Sequence, residues 1–170
     1  MAEIKDIENT LILETTKGRV VIELLVDLAP YHVARVKELV REGAYDNVIF
    51  HRVIDGFMAQ TGDVQFGKKD GEKFNLSRAG MGGSDKPDLK AEFSNLSHKR
   101  GTVSMARSQN PNSANSQFFI CFEEAPWLNR QYSIWGQVIE GMENVDQIKR
   151  GEPVVDPDSI IKATIAADVR

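Results

Sequence analysis

Short β-rich runs recur along almost the whole of this chain, and that rhythm limits its folds more than any other feature. Thr10–Thr16 and Arg19–Leu25 flank the turn pair Lys17-Gly18 and read as a hairpin. Further strands are expected over Val48–Ile54, Gly101–Ala106, Gln117–Phe122, Ser133–Glu140 and Ser159–Val169. Helical spacing appears twice. Val33, Val36 and Val40 follow Pro30, which suits a first helical turn, and Gly43 ends that run. Met142, Val145 and Ile148 mark a second, shorter helix closed by Gly151, while Pro126–Gln131 reads as a turn or short helical piece. Between them Val64–Leu89 is rich in Gly, Lys and Asp without periodicity, so a long surface excursion is expected, of the kind that is functional or mobile. No internal repeat or linker divides the 170 residues, which predicts one domain. A mainly β fold follows, with a closed or nearly closed barrel whose ends the helices cover.

Composition excludes several classes of function. The net charge of −4 gives no basic surface for nucleic acid, and no dense Lys/Arg run marks a membrane surface. Apolar runs are too short to span a bilayer, and MAEIKDIENT lacks the regions of a secretory signal, so a reduced cytoplasmic setting is expected. Cys121 is the single cysteine and sits in the apolar run FFICF, the setting of a buried, inert thiol. His32, His51 and His98 are not paired at metal-ligand spacing, so no metal is expected. No G-x-S-x-G elbow supports a hydrolase built on His51. Gly80–Gly83 is glycine-rich but lacks the lysine of a phosphate loop.

What remains is an apolar site with a few polar points. Its centre is Phe50–Asp63, FHRVIDGFMAQTGD. Strand alternation there puts Phe50 and Arg52 on one face, with His51 and Val53 on the other. Asp55-Gly56 signals a turn, after which Phe57, Met58 and Gln60 follow. An arginine beside a Phe-Met pair fits a greasy pocket with one cation on its edge, suited to gripping an apolar group next to a carbonyl. Phe118, Phe119, Trp127, Leu128 and Tyr132 are the other candidates. Each has a plainer reading as core or rim, Arg52 as an exposed ion-pair partner, and one of Phe118 and Phe119 must face the core. Composition and spacing alone stop at a β-rich domain with an apolar pocket.

Longer blocks carry more. FHRVIDGFMAQTGD at 50–63, SANSQFFICF at 113–122 and WLNRQYSIWGQVIEGMENVDQI at 127–148 resemble the cyclophilins, the peptidyl-prolyl cis-trans isomerases. AEFSNLSHKRGTVSMA at 91–106 and the opening hairpin also fit, so the resemblance covers roughly residues 10–165. It implies an eight-stranded antiparallel β-barrel capped by two α-helices, with the active groove on the outside of the barrel. It further implies that Arg52 is catalytic and that Phe57, Met58, Phe119 and Leu128 hold the proline ring. Gln60 and the backbone near Ala106 and Arg107 would hold the peptide, and Trp127 matches the tryptophan that favours cyclosporin binding in this family.

The expected partners are proline-containing peptides and unfolded or flexible protein segments, met by a monomer without a cofactor. A non-catalytic proline-peptide-binding module on the same fold is the alternative. The chain departs from the family pattern at four places. Thr61-Gly62 replaces a glycine pair, Tyr132 stands where histidine is frequent, Arg107 stands where asparagine is frequent, and Val64–Leu89 differs throughout. The Arg107 cation at the groove edge is expected to favour acidic residues near the proline.

Overall fold

The structure is a computed structural model that describes residues 6–169; residues 1–5, which open the segment read above for a secretory signal, and Arg170 lie outside the described residues. Nine strands are described: β1 (Thr10–Thr15), β2 (Gly18–Leu24), β3 (Val48–Ile49), β4 (Arg52–Ile54), β5 (Met58–Thr61), β6 (Thr102–Met105), β7 (Phe118–Cys121), β8 (Ile134–Glu140) and β9 (Ser159–Ile165). Helix α1 covers Pro30–Arg41 and α2 covers Met142–Val145. The second helix is a single turn rather than one running on towards Gly151, and the last strand ends at Ile165 in a 3-10 turn, Ala166–Asp168.

All nine strands belong to one sheet, in the order β3-β9-β1-β2-β8-β6-β7-β5-β4. Every pairing is antiparallel. The two ends of that order, β3 and β4, are separated by only Phe50 and His51 in the chain. The sheet must therefore curl until its edges meet, because the linking chain reaches about 3.5 Å per residue at most. Counted as one interrupted strand, β3 and β4 reduce the nine to the eight expected.

That interruption overturns one reading. Phe50 and Arg52 do not share a face: Phe50 and Val53 both enter the main core, while Arg52 is left half-buried outside. Phe50 and His51 lie at a corner where the backbone leaves the sheet ladder, and the Phe50 N–H donates to the Asp158 carbonyl at 2.8 Å. Two unpaired residues shift the alternation, so the period of two fails across the corner.

The main core fills the barrel with side chains such as Leu11, Ile22, Phe50, Val103, Phe118, Ile120 and Trp135. Valines 33, 36 and 40 bring α1 onto it. No side chain of Ala29 can cap α1, so Glu92 does so from a distant loop, accepting from the Tyr31 and His32 N–H groups at 3.2 and 2.8 Å.

The long excursion is stitched down. Asp63 is fully buried, and its carboxylate accepts four backbone N–H groups, from Gln65, Phe66, Gly80 and Gly82, at 2.8–3.0 Å. The glycine-rich Gly80–Gly83 segment thus turns its amides on a protein carboxylate. Arg35 and Asn115 tie down the other end through Pro87 and Lys86. In place of the family's glycine pair, Thr61 buries its hydroxyl on the Ile49 carbonyl at 2.8 Å. Gly62 supplies the positive φ of 92°, where a Cβ would lie 2.6 Å from the Ser116 carbonyl oxygen.

Candidate active site

Alternation along β5 and β7 sorts their side chains between two apolar clusters. Ala59, Phe118 and Ile120 point into the barrel, whereas Met58, Phe119 and Cys121 point out of it into a second cluster with Ala125 and Leu128. One of the paired phenylalanines is core, as alternation required, and it is Phe118. Strand register then lines up the outer face. Arg52 is opposite Gln60, Gln60 is opposite Phe119, and Phe119 is opposite Ser104. Four neighbouring strands thereby place a cation, an amide and an aromatic ring in one row.

A groove of about 130 Å³ opens over this row. Met58, Phe119 and Leu128 form its buried apolar floor, with Phe57, Ala106 and Tyr132 partly buried around it. Arg52, Gln60 and Arg107 complete the lining. Trp127, from the 3-10 turn Pro126–Leu128, stands outside those walls. It is 63% exposed and packs on Phe57 with ring centroids 5.6 Å apart. Phe119 is held between rings, stacked on His98 at 6.2 Å and edge-on to Tyr132 at 5.6 Å.

Polar contacts fix the edge of the groove. Arg52 Nη1 donates to Gln60 Oε1 at 3.3 Å, and Gln60 Nε2 donates to Gln117 Oε1 at 3.1 Å. Gln117 Nε2 then donates to the Gly80 and Gly82 carbonyls, both at 2.8 Å. On its other side Arg52 Nε donates to Glu152 Oε2 at 2.5 Å. Arg107 lies over the Tyr132 ring at 4.7 Å and donates to the carbonyls of Gln131, Ser108 and Gln109.

Burial sets the protonation of the nearby groups. It drives the His51 pKa down to about 4, against the pull of the Asp63 charge. His98 is also lowered by burial, with its bond to Asn129 opposing the shift, and the Cys121 thiol is pushed up to about 12. Cys121 is therefore a protonated packing group rather than a nucleophile. Among the described residues no serine is hydrogen-bonded to His51 as a hydrolase would need. Among the described residues no three His, Cys, Asp or Glu side chains converge as metal ligands, and no helix is long and apolar enough to cross a membrane.

Sequence reasoning missed Gln117, Met81 and Glu152. Gln117 is two residues before Phe119, so alternation could have found it. With Gly80, Met81, Gly82 and Asn115 it lines an adjoining cavity of about 220 Å³ that shares Gln60, Ala106 and Arg107 with the groove. Glu152 lies a hundred residues from Arg52, beyond any local pattern.

Comparison with known proteins agrees with this geometry. Residues 10–166 match the family model of the cyclophilin type peptidyl-prolyl cis-trans isomerase/CLD. A probable peptidyl-prolyl cis-trans isomerase of Brucella suis is 59% identical over 174 residues, covering 99% of this chain and 88% of that protein. Peptidyl-prolyl cis-trans isomerase B of Escherichia coli is 39% identical, over 79% of this chain and 80% of its own. Among solved structures, the cyclophilin AquaCyp293 of Hirschia baltica superposes with a TM-score of 0.84 at 30% identity, covering 97% of this chain and 76% of that one. A Cryptosporidium parvum cyclophilin, determined in the presence of the dipeptide Ala-Pro, gives 0.78 at 29% identity, over 92% and 98% of the two chains. Sequence, barrel and outward-facing groove together place this chain in the cyclophilin family of peptidyl-prolyl cis-trans isomerases.

Proposed function

We propose that the whole chain, 1–170 with its core at about 10–165, acts as one isomerase domain whose groove turns X–Pro bonds with Arg52 as the catalytic residue. The observation that carries this reading is the guanidinium on the rim of an apolar groove, fixed from two sides by Gln60 and Glu152.

The reaction asks for little covalent chemistry. An X–Pro bond resists rotation by about 18–20 kcal/mol because resonance gives its C–N bond double-bond character. Uncatalysed exchange takes on the order of tens to hundreds of seconds. No bond breaks and no proton leaves, so the task is to favour the twisted amide over both planar forms. In the twisted state the prolyl nitrogen becomes pyramidal and regains a lone pair. A guanidinium aimed at that nitrogen donates to it only then, and each ~1.4 kcal/mol of this preference is worth tenfold in rate. Arg is suited because its charge is permanent and its fork rigid. Phe57, Met58, Phe119 and Leu128 clamp the proline ring, while Gln60 and the backbone at Ala106 and Arg107 hold the flanking peptide. One side of the amide then turns while the other stays fixed.

Tyr132 supplies a ring and polar tip at the rim, and Trp127 presents its indole to cyclosporin, which the protein binds. Arg107 contributes a cation at the groove edge that favours acidic residues near the proline. The substrates are proline-containing peptides and flexible or unfolded protein segments, and the role is that of a monomeric, cytoplasmic folding assistant. A protease-coupled assay on an X–Pro peptide, with and without cyclosporin, tests the reading. Turnover well above the spontaneous rate and blocked by the drug is expected. Peptide binding without acceleration would leave only the non-catalytic binding module.

A further inference from the structure

The loop after α2 runs beside β4 and extends the sheet by one short pairing. The Val53 N–H donates to the Gly151 carbonyl at 2.8 Å, and the Gly151 N–H returns to the Val53 carbonyl at 2.7 Å. This antiparallel bridge sets Arg52 opposite Glu152, because each step back along β4 is a step forward along the loop. Opposite charges facing each other across such a pair attract.

The loop holds that position from both sides. At its start Arg150 reaches Asp55 at 3.1 Å and lies over the Phe122 ring at 4.2 Å. At its end the Val154 N–H donates to the His51 carbonyl at 3.2 Å. Gly151 is the residue type this doubling-back demands: a Cβ there would stand 2.8 Å from both the Pro153 carbonyl oxygen and the Val154 Cα. Glu152 is therefore presented by a braced segment, although its side chain is largely exposed.

We infer that Glu152 is a positioning residue for the reaction: its carboxylate takes Arg52 Nε while Gln60 takes Nη1, and the two together fix the guanidinium at the edge of the groove. An arginine side chain is long and has much rotamer freedom to lose. Holding it at two nitrogens before substrate arrives removes much of that loss from the rate-limiting step. The pair adds little to folding stability, because both side chains are exposed to solvent, which screens their attraction. Its effect is on aim rather than on fold.

This inference rests on the reading of Arg52 as catalytic, and the experiment separates the two. Wild type, E152A, E152Q, R52A and the double variant R52A/E152A are compared by exchange kinetics on one X–Pro peptide, with melting temperatures alongside. E152A is expected to lower kcat about tenfold with KM and melting temperature nearly unchanged. E152Q keeps an acceptor for Nε and is expected to remain within about threefold of wild type. Adding E152A to R52A is expected to change nothing more, since the carboxylate acts through the guanidinium. An E152A variant with wild-type or higher kcat would overturn the inference, as would an equal effect of E152A with and without Arg52. Wild-type protein that does not accelerate exchange at all would instead overturn the reading of the groove.

Discussion

At the scale of single residues the decisive contrast is between Arg52 and Trp127. Arg52 sits on the edge of the groove in contact with Gln60 and Glu152, and its side chain is 41% exposed. Arg52→Ala is expected to cut turnover by about a hundredfold or more, the scale of losing a donor to charge that develops in the transition state. Stability should move by no more than about 0.5 kcal/mol, as for other surface changes. A folded Arg52→Ala variant with wild-type kcat/KM would refute the mechanism. Trp127 touches Phe57 from outside the walls that line the groove. Trp127→Ala is expected to weaken cyclosporin binding about tenfold, a loss of about 1.4 kcal/mol, while slowing peptide isomerisation less. Titration of the variant against both ligands checks this. Arg107 shows the limit of reading residues one by one: the sequence shows a cation at the groove edge, and only the structure shows that three of its N–H donors are turned to backbone carbonyls.

At the scale of elements, β7 sends one of two adjacent phenylalanines to the core and the other to the groove. Phe118 packs edge-on against Tyr45 and Trp135 inside the barrel, at 5.5 and 5.2 Å. Phe119 forms the floor of the groove on the opposite face. Phe118→Ala is expected to cost about 3–5 kcal/mol of stability, the range for truncating a buried aromatic. The folded fraction should keep most of its activity. Phe119→Ala is expected to raise KM for peptide and lower kcat/KM by at least tenfold in protein that remains folded. Denaturant melts and kinetics on the same samples distinguish the two, and equal losses of activity would contradict the division. That one of the two faces the core was legible in the spacing, because a period of two needs only neighbouring residues, and the family resemblance pointed to Phe119 as the outer one. The corner at Phe50 and His51 was not. There the chain leaves one strand pairing for another, and nothing local to Val48–Ile54 records that β3 pairs with β9 while β4 pairs with β5.

At the scale of the whole molecule, folding takes three histidines out of water at three separate places: His32 on α1, His51 at the corner between β3 and β4, and His98 against Phe119. His32, His51 and His98 are all buried, and burial lowers each below the usual histidine value. A group whose folded pKa lies below its unfolded one stabilises the protein fully above the unfolded value, near 6.5, and that contribution is lost as the pH falls. For His51, at the barrel's closing corner, the loss runs from about pH 6.5 down through its folded value of about 4. It amounts to about 3 kcal/mol at most. Melting temperature is therefore expected to fall between pH 7 and pH 4, and less steeply in His51→Gln. Parallel pH profiles for the two proteins would show that His51 is not the source. The run of short strands, the two helices, the sorting of Phe118 from Phe119 and the absence of a nucleophile motif were all determined by the sequence itself. Those features depend on residue type and on spacings of a few positions. Tertiary structure alone decided that β3 and β4 meet at a corner and that Asp63 gathers the distant glycine turn. It alone brought Glu152 to Arg52 across a hundred residues. The physical reason is that strand register, not sequence separation, sets which side chains face each other once the sheet closes.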